Sequence, residues 1–174
     1  MKKILVVIDM QNDFINGSLG TKEAVEIVPK VIEKIKKYKK ENVYATRDTH
    51  DKDYLNSLEG KHLPIVHCLK NTIGWEIQKD IASMIDVKNI FDKPCFGSIK
   101  LAQHLAKINE KEPIEVELVG LCTDICVIAN AVIIKSYLIN TPVSVDSNCC
   151  AGVSKESHKR ALKSMQTLQV DIKD

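Results

Sequence analysis

The sequence predicts one α/β domain, residues 1–174, in which helices cover both faces of a mainly parallel central sheet, a three-layer α/β/α arrangement. Short apolar runs rich in Val and Ile alternate along the chain with longer segments in which apolar residues recur every three or four positions. Several of the apolar runs end directly in a charged side chain, as is typical where parallel strands meet a ligand. The length of 174 residues suits a single hydrophobic core.

The first half of the chain contains two predicted strands and two predicted helices. The apolar run from Lys3 to Met10 is typical of a central strand that is covered on both faces. From Glu23 to Lys39 the apolar positions follow a helical period with lysines opposite, which predicts an amphipathic helix packed on the sheet. A second strand, 43–46, precedes an irregular segment, 51–74, of a kind that is usually functional or mobile in compact domains. A helix is predicted next, around residues 77–85.

The second half repeats the alternation. Its central strand, 114–119, breaks at Gly120, and the helix that follows at 125–138 is apolar almost all round, which indicates either deep burial or half of an oligomer contact. The remaining predicted elements are a strand at 89–91, a helix at about 98–108, a strand at 142–145 closed by a turn at 147–152, a helix from Ser154 to Leu168, and an edge strand at 170–172.

Composition excludes several classes of function. Lys and Arg number 25 against 23 Asp and Glu, a net charge of +2, so neither nucleic acid nor an anionic membrane is expected as a partner. No apolar stretch reaches the roughly 18 residues that a membrane span requires. Asp9 ends the first apolar run too early for a signal peptide, and we expect a cytoplasmic protein. The six cysteines are interpreted as free thiols, and the adjacent Cys149 and Cys150 as packing residues.

Three side chains of matching chemistry stand at the ends of predicted strands: Asp9, Lys93 and Cys126. Because the carboxyl ends of parallel strands share one rim, these residues can meet there. Cys126 falls at the start of a predicted helix, where free N–H groups and a nearby cation favour the nucleophilic thiolate. Singly, the three could be a turn residue, a solvated lysine and a structural cysteine. Their joint position favours the catalytic interpretation.

Three segments resemble the signatures of the isochorismatase-like cysteine hydrolases: Asp9-Met-Gln-Asn-Asp-Phe14, Lys93 before Phe96-Gly97-Ser98, and Gly120-Leu-Cys-Thr-Asp-Ile-Cys-Val127. The resemblance covers residues 3–170, nearly the whole chain. It implies a Rossmann-like α/β fold with an Asp9–Lys93–Cys126 triad, and a non-proline cis peptide bond between Leu121 and Cys122.

The implied mechanism agrees with the chemistry of these residues. Asp9 takes the thiol proton and later passes it to the leaving amine, while the charge of Lys93 lowers the pKa of the thiol. The thiolate of Cys126 attacks an amide carbonyl and forms a thioester that water hydrolyses. The backbone N–H groups of Cys122 and Cys126 are placed to bind the oxyanion.

A second constellation combines Asp48 and His50, at the end of a predicted strand, with Glu59, His62 and His67 downstream. From spacing alone these residues fit either a divalent metal site or a polar loop with unconnected histidines. Together with the segments Pro64-Ile-Val-His67-Cys68 and Thr72-Ile-Gly74, they resemble the metal segment of nicotinamidases in the same superfamily. That resemblance implies Asp48, His50 and His67 as ligands, Glu59 as a fourth ligand found in some members, and His62 as a surface residue.

The resemblance also suggests how a substrate is held. Zinc fits the ligand set best, and iron or manganese would be tolerated. The metal would bind the pyridine nitrogen of nicotinamide and set its carbonyl over Cys126. Phe14, Tyr54 and Trp75 are candidate pocket walls for a flat ring.

The sequence is therefore interpreted as that of a homo-oligomeric nicotinamidase, which converts nicotinamide and water to nicotinate and ammonia in NAD salvage. One alternative is an amidohydrolase of the same mechanism that acts on another small amide, such as a carbamoyl or ureido compound, for which no ring-nitrogen ligand is needed. The other is a non-catalytic binding module of the same fold, although such a module has no reason to retain the triad.

Overall fold

The central sheet has six strands, all parallel, in the order β3-β2-β1-β4-β5-β6. The computed structural model describes residues 1–174. This strand order is that of the doubly wound Rossmann fold, and it confirms the predicted fold class. The strands are β1 (Lys2–Ile8), β2 (Val43–Asp48), β3 (Ile90–Lys93), β4 (Ile114–Leu121), β5 (Val143–Ala151) and β6 (Asp171–Lys173).

Helices cover both faces of the sheet. Side chains of β1 alternate between two separate cores, with Ile4 and Val6 in one and Leu5 and Val7 in the other, because successive residues of a strand point to opposite faces. None of the helices is long and apolar enough to cross a bilayer. They are α1 (Asn12–Ile15), α2 (Lys22–Ile35), α3 (Leu58–His62), α4 (Lys79–Ser83), α5 (Ile99–Lys111), α6 (Ile128–Tyr137) and α7 (Lys155–Thr167).

The fifth strand is longer than predicted. A turn was expected at 147–152, but β5 continues to Ala151 because its far end pairs with β4 beyond a register shift, with Cys150 opposite Gly120. Cys149 and Cys150 consequently pack into the two different cores. Both thiols are buried and free, so these residues serve packing, as expected.

The helix after β4 also differs from its predicted form. A wide turn with π-helical hydrogen bonding, Thr123–Val127, precedes α6, so Cys126 lies in that turn and not in regular α-helix. The helix is not buried all round, since it buries Ala131 and Ile134 while Val132 is 40% exposed. An oligomer contact on this face remains a prediction.

The order of the strands in the sheet determines where the site lies. β1 pairs with β2 on one side and with β4 on the other, so the connections leaving their carboxyl ends run in opposite directions. Such a switch point opens a crevice where ligands bind in parallel α/β sheets. Asp9, Asp48, Lys93 and the turn with Cys126 all stand at this rim.

Candidate active site

Asp9, Lys93 and Cys126 meet in one buried cluster. The Lys93 ammonium lies 2.7 Å from Oδ2 of Asp9 and 3.6 Å from Sγ of Cys126. It also donates to the carbonyl of Cys95 at 3.0 Å. Asp9 is fully buried, Lys93 is 1% exposed and Cys126 is 6% exposed, so water screens these charges poorly.

An unusual backbone conformation and a hydrogen bond from Thr46 orient the carboxylate of Asp9. The residue has a positive φ of 46°, which an L-residue adopts rarely and Asp more readily than most. The hydroxyl of Thr46 on β2 donates to Oδ1 at 2.7 Å, and this leaves Oδ2 to face the lysine. The next strand therefore fixes the orientation of the carboxylate.

Burial and mutual charge set the protonation of the cluster. Burial raises the pKa of Asp9, against the lowering charge of Lys93. Burial alone would lower the pKa of Lys93, but the negative charges around it, that of Asp9 foremost, together outweigh burial and raise that pKa well above its ordinary value. Burial and the charge of Asp9 also raise the pKa of Cys126, by more than Lys93 lowers it. Burial and Asp9 therefore oppose the thiolate, while Lys93 favours it, as expected from the sequence.

The turn that carries Cys126 is built to bring backbone close to the site. The peptide bond between Leu121 and Cys122 is cis, as expected. The Cys122 N–H donates no hydrogen bond within the protein, and Cys122 and Cys126 line the same cavity. Before it, Gly120 has a φ of +120°, and a Cβ there would lie 2.1 Å from the carbonyl oxygen of Ile8, so only glycine lets β4 pass β1 at this point. Behind the thiol, Asn130 donates to the Cys126 carbonyl at 2.7 Å.

Asp48, His50, Glu59 and His67 form a second cluster beside the first. One ligand atom from each lies within 4.8 Å of every other. The Nε2 atom of His50 is 2.9 Å from Oδ2 of Asp48 and 3.8 Å from Oε1 of Glu59. The corresponding Nε2 atom of His67 is 3.6 Å from the same Asp48 oxygen and 3.9 Å from the same Glu59 oxygen. His62 is exposed, as expected.

The surroundings of this cluster fit a divalent metal. Nδ1 of His67 bonds to the carbonyl of Ile65 at 2.8 Å, which makes Nδ1 the donor and leaves the lone pair of Nε2 directed at the cluster, as in metal-binding histidines. Burial would raise the pKa of Asp48, but its neighbours His50, His67 and Lys93 lower it below its ordinary range, so the carboxylate is available as a ligand. Two imidazoles and two carboxylates are a donor set that zinc and other transition metals accept.

A cavity of about 220 Å³ lies against both clusters. Its polar wall comprises Asp48, Glu59 and His67, with Cys122 and Cys126 beside them. Apart from Thr21, the rest is apolar and includes Phe14, Leu19, Leu63, Phe96, Ile125 and Val153. The volume is below the roughly 300–1,000 Å³ of pockets for drug-sized ligands, so the cavity suits a molecule of about one ring.

Of the three predicted pocket walls, the structure places only Phe14 at the cavity. Tyr54 instead packs its ring on His50 and His67, with centroids 4.6 and 5.0 Å away, and donates to the Leu63 carbonyl at 2.9 Å. Trp75 donates to Thr49 at 2.8 Å and carries the Arg47 guanidinium 3.5 Å over its ring. Neither ring lines this cavity, because both support neighbouring segments from outside it.

Several residues at the site were missed in the sequence. Phe96, Leu63, Ile125 and Val153 line the cavity, although each sits within or next to a segment that had been singled out. Gln11 was also missed; it is fully buried and clamps the main chain of Asp48, accepting from its N–H at 2.7 Å and donating to its carbonyl at 2.8 Å. Its position between two motif residues, Asp9 and Asp13, was the available signal.

Comparisons with known proteins agree with this arrangement. The isochorismatase domain, as a family model, matches residues 3–173. The nicotinamidase of Schizosaccharomyces pombe is 27% identical over 208 residues, covering 97% of this chain and 91% of that protein. The structure of the pyrazinamidase of Pyrococcus horikoshii in complex with zinc is 28% identical, with a TM-score of 0.79, covering 99% of this chain and 98% of that one. The nicotinamidase/pyrazinamidase of Bacillus subtilis is 26% identical, with a TM-score of 0.83 and 100% coverage of both chains.

The parallel sheet and the cluster at its rim place the protein among the α/β hydrolytic enzymes. More closely, the chain belongs to the isochorismatase family and is an amidohydrolase of the branch that contains the nicotinamidases and pyrazinamidases. The family and the enzyme class expected from the motifs are confirmed.

Proposed function

We propose that this protein is a nicotinamidase, which hydrolyses nicotinamide to nicotinate and ammonia through a thioester on Cys126. The observation that carries the proposal is the position of Asp48 between the two clusters. Its Oδ1 atom lies 3.4 Å from the Lys93 ammonium, while Oδ2 lies 2.9 Å from Nε2 of His50. A cavity of about 220 Å³ touches both clusters, so one small ring can meet the donor cluster and the thiol at once.

The triad accounts for the acid–base steps. As the sulfur of Cys126 attacks the amide carbon, the thiol proton passes to the carboxylate of Asp9. The negative oxygen that forms is received by the N–H groups of Cys122 and Cys126. Asp9 returns the proton to the amide nitrogen, the C–N bond breaks, and ammonia leaves behind a thioester. Water then attacks the thioester while Asp9 accepts its proton. The C–S bond breaks, Asp9 returns that proton to the sulfur, and the acid leaves as nicotinate after losing its own proton to solvent.

Lys93 balances the negative charge of the cluster throughout this cycle. Its ammonium stays charged throughout, because the neighbouring carboxylates stabilise the cation. Placed 2.7 Å from Asp9 and 3.6 Å from Cys126, it stabilises whichever of the two carries the negative charge. The proton can therefore move between sulfur and carboxylate without leaving a buried anion unpaired.

Asp48, His50, Glu59 and His67 would hold a divalent metal, with zinc as the proposed ion. Bound there, the metal supplies a Lewis-acid site for the pyridine nitrogen and so orients the ring. The protein itself contributes Phe14, which lines the cavity and whose ring centroid is 5.6 Å from that of His67.

A comparison of nicotinamide with benzamide, which lacks the ring nitrogen, tests the proposal. Ammonia release is measured for the purified enzyme, for the chelator-treated enzyme, and after zinc, iron or manganese is restored. We expect nicotinamide to be hydrolysed far faster than benzamide, and this preference to disappear with the metal. Equal turnover of both amides with and without metal, or turnover only of a carbamoyl or ureido compound, would refute the assignment. Cys95→Ala, which removes an exposed thiol, is the control for Cys126→Ala.

A further inference from the structure

The turn Thr123–Val127 is braced from behind by the segment that joins β5 to α7. The hydroxyl of Thr123, a fully buried residue, lies 2.7 Å from Nδ1 of His158 on α7. One residue further along the turn, Oδ1 of Asp124 accepts the N–H of Val153 at 3.1 Å. Two successive residues of the turn are thus tied to one short segment, 152–158.

That segment is itself held firmly. Ser154 and Ser157 form a reciprocal capping box at the start of α7, which fixes the entry of the chain into the helix. Gly152 allows the close approach, since a Cβ there would lie 2.9 Å from Oδ1 of Asp124 and 3.0 Å from the backbone nitrogen of His158. The brace is therefore a rigid support and not a loose loop.

The braced turn carries the reactive groups. Thr123 follows directly after Cys122, whose N–H is free, and comes three residues before Cys126. A buried hydroxyl that loses its partner destabilises the fold, so the Thr123–His158 bond constrains which conformation the turn adopts. Burial lowers the pKa of His158, against the opposing charge of Asp124, and a neutral ring can accept the Thr123 proton at Nδ1.

We infer that His158 is a positioning residue of the active site, acting through Thr123 to fix the turn on which the nucleophilic thiol and the oxyanion donor stand. The effect on turnover that this inference expects rests on the proposed function. It goes beyond that function because neither His158 nor Thr123 lines the cavity. Within segment 152–158, only Val153 does so.

Five variants test the inference: Thr123→Val, Thr123→Ser, His158→Ala, His158→Asn and, as a matched control, His104→Ala. His104 is a partly buried histidine that packs on Tyr44 and Phe91, far along the sheet from the turn. Each variant is assayed for kcat and KM with nicotinamide, for the rate at which iodoacetamide alkylates Cys126, and for Tm.

A displaced nucleophile should lower kcat and leave binding of the substrate ring unchanged, because a misplacement of about 1 Å can lower a rate roughly a hundredfold. We expect Thr123→Val and His158→Ala to lower kcat about ten- to a hundredfold with KM nearly unchanged, and to alter the alkylation rate of Cys126. Thr123→Ser keeps the hydroxyl and His158→Asn places an amide near Nδ1, so both should recover most of kcat. His104→Ala should lower Tm but leave kcat, KM and the alkylation rate of Cys126 unchanged.

The inference is overturned if His158→Ala changes kcat and alkylation no more than His104→Ala does, or if Thr123→Ser fails as badly as Thr123→Val. Failure of the proposed function has a different signature. The wild-type enzyme would then release no ammonia from nicotinamide, while the alkylation of Cys126 would still respond to Thr123→Val and be rescued by Thr123→Ser.

Discussion

Asp48 touches Lys93 with one carboxylate oxygen, at 3.4 Å, and turns the other to His50 at 2.9 Å. A single buried side chain thereby joins the cluster that holds the reactive thiol to the cluster that can hold a metal. Because Asp48 ends β2 and Lys93 ends β3, and the two residues are direct partners in the ladder, the sheet register fixes the distance between the clusters. Under the proposed function, substrate orientation and proton transfer would both depend on this carboxylate.

Asp48→Asn should consequently damage two properties at once. The amide keeps the shape but removes the negative charge, so we expect metal affinity, measured by chelator competition, to fall at least about tenfold. Saturating metal should restore kcat only in part, because Lys93 also loses a neighbouring charge. Asp51→Asn, in the exposed loop beyond, serves as the control and should change neither property. Complete recovery of kcat at high metal would show that the contact with Lys93 is not used in catalysis.

The two cysteines of the turn should behave differently. Cys126→Ala removes the sulfur that lies 3.6 Å from Lys93 and should reduce ammonia release by several orders of magnitude, while Tm stays close to that of the wild type. Cys122→Ala keeps the backbone N–H and should lower kcat only mildly. Mass spectrometry of protein quenched during turnover should detect an acyl adduct on Cys126. Comparable losses in both variants would mean that the wrong thiol has been assigned.

The residues at the rim of the sheet were predictable because they stand at strand ends, and short local sequence patterns predict where strands end. Asp9, Asp48 and Lys93 each come within three residues of the end of an apolar run, so a parallel sheet brings them to one edge. The three-layer fold with a mainly parallel sheet follows from that pattern, and the grouping of Asp48 with the two histidines was implied by the motif resemblance.

Other features depend on contacts that no local pattern encodes. The far end of β5 was missed because a register shift in the neighbouring strand, between Leu118 and Gly120, sustains the pairing. Tyr54 and Trp75 were assigned to the cavity on ring type alone, whereas their orientation is set by bonds to Leu63 and Thr49. The raised pKa of Cys126 follows from burial and from Asp9, and burial is a property of the folded chain.

Remote from the site, a buried charge network between α2 and the sheet should govern acid stability. Lys34 lies 3.0 Å from Glu117 and 2.5 Å from Asp146, and the hydroxyl of Tyr38 bonds to Glu117. Burial would raise the pKa of Glu117, but the bonds from Tyr38 and Lys34 lower it below its ordinary value of 4.5. Because the folded pKa is depressed, this stabilisation is fully present above pH 4.5 and is lost as the pH falls through the folded value.

Glu117→Gln therefore provides a pH-resolved measurement. Urea unfolding at pH 7 should show a loss of about 1–3 kcal/mol relative to the wild type, because a buried ion pair is broken on one side. The difference should shrink below pH 4.5, where the wild type loses the same charge. Glu110→Gln, at an exposed position of α5, should leave both curves unchanged. A stability difference that does not depend on pH would contradict an electrostatic origin.

Gln11 should be as important for metal binding as a ligand, although it contributes no atom to the donor cluster. Its side-chain amide accepts from the Asp48 N–H at 2.7 Å and donates to the carbonyls of Asp48 and Trp75, each at 2.8 Å. Gln11→Leu preserves volume but leaves buried backbone groups without partners, which costs about 1–3 kcal/mol each. The main chain at Asp48 is then free to move, and outer-shell losses of this kind weaken metal sites about ten- to a hundredfold. Chelator competition should reveal that loss in Gln11→Leu and none in Gln103→Leu, an exposed glutamine of α5; a lower Tm with unaltered metal affinity would restrict Gln11 to a role in stability.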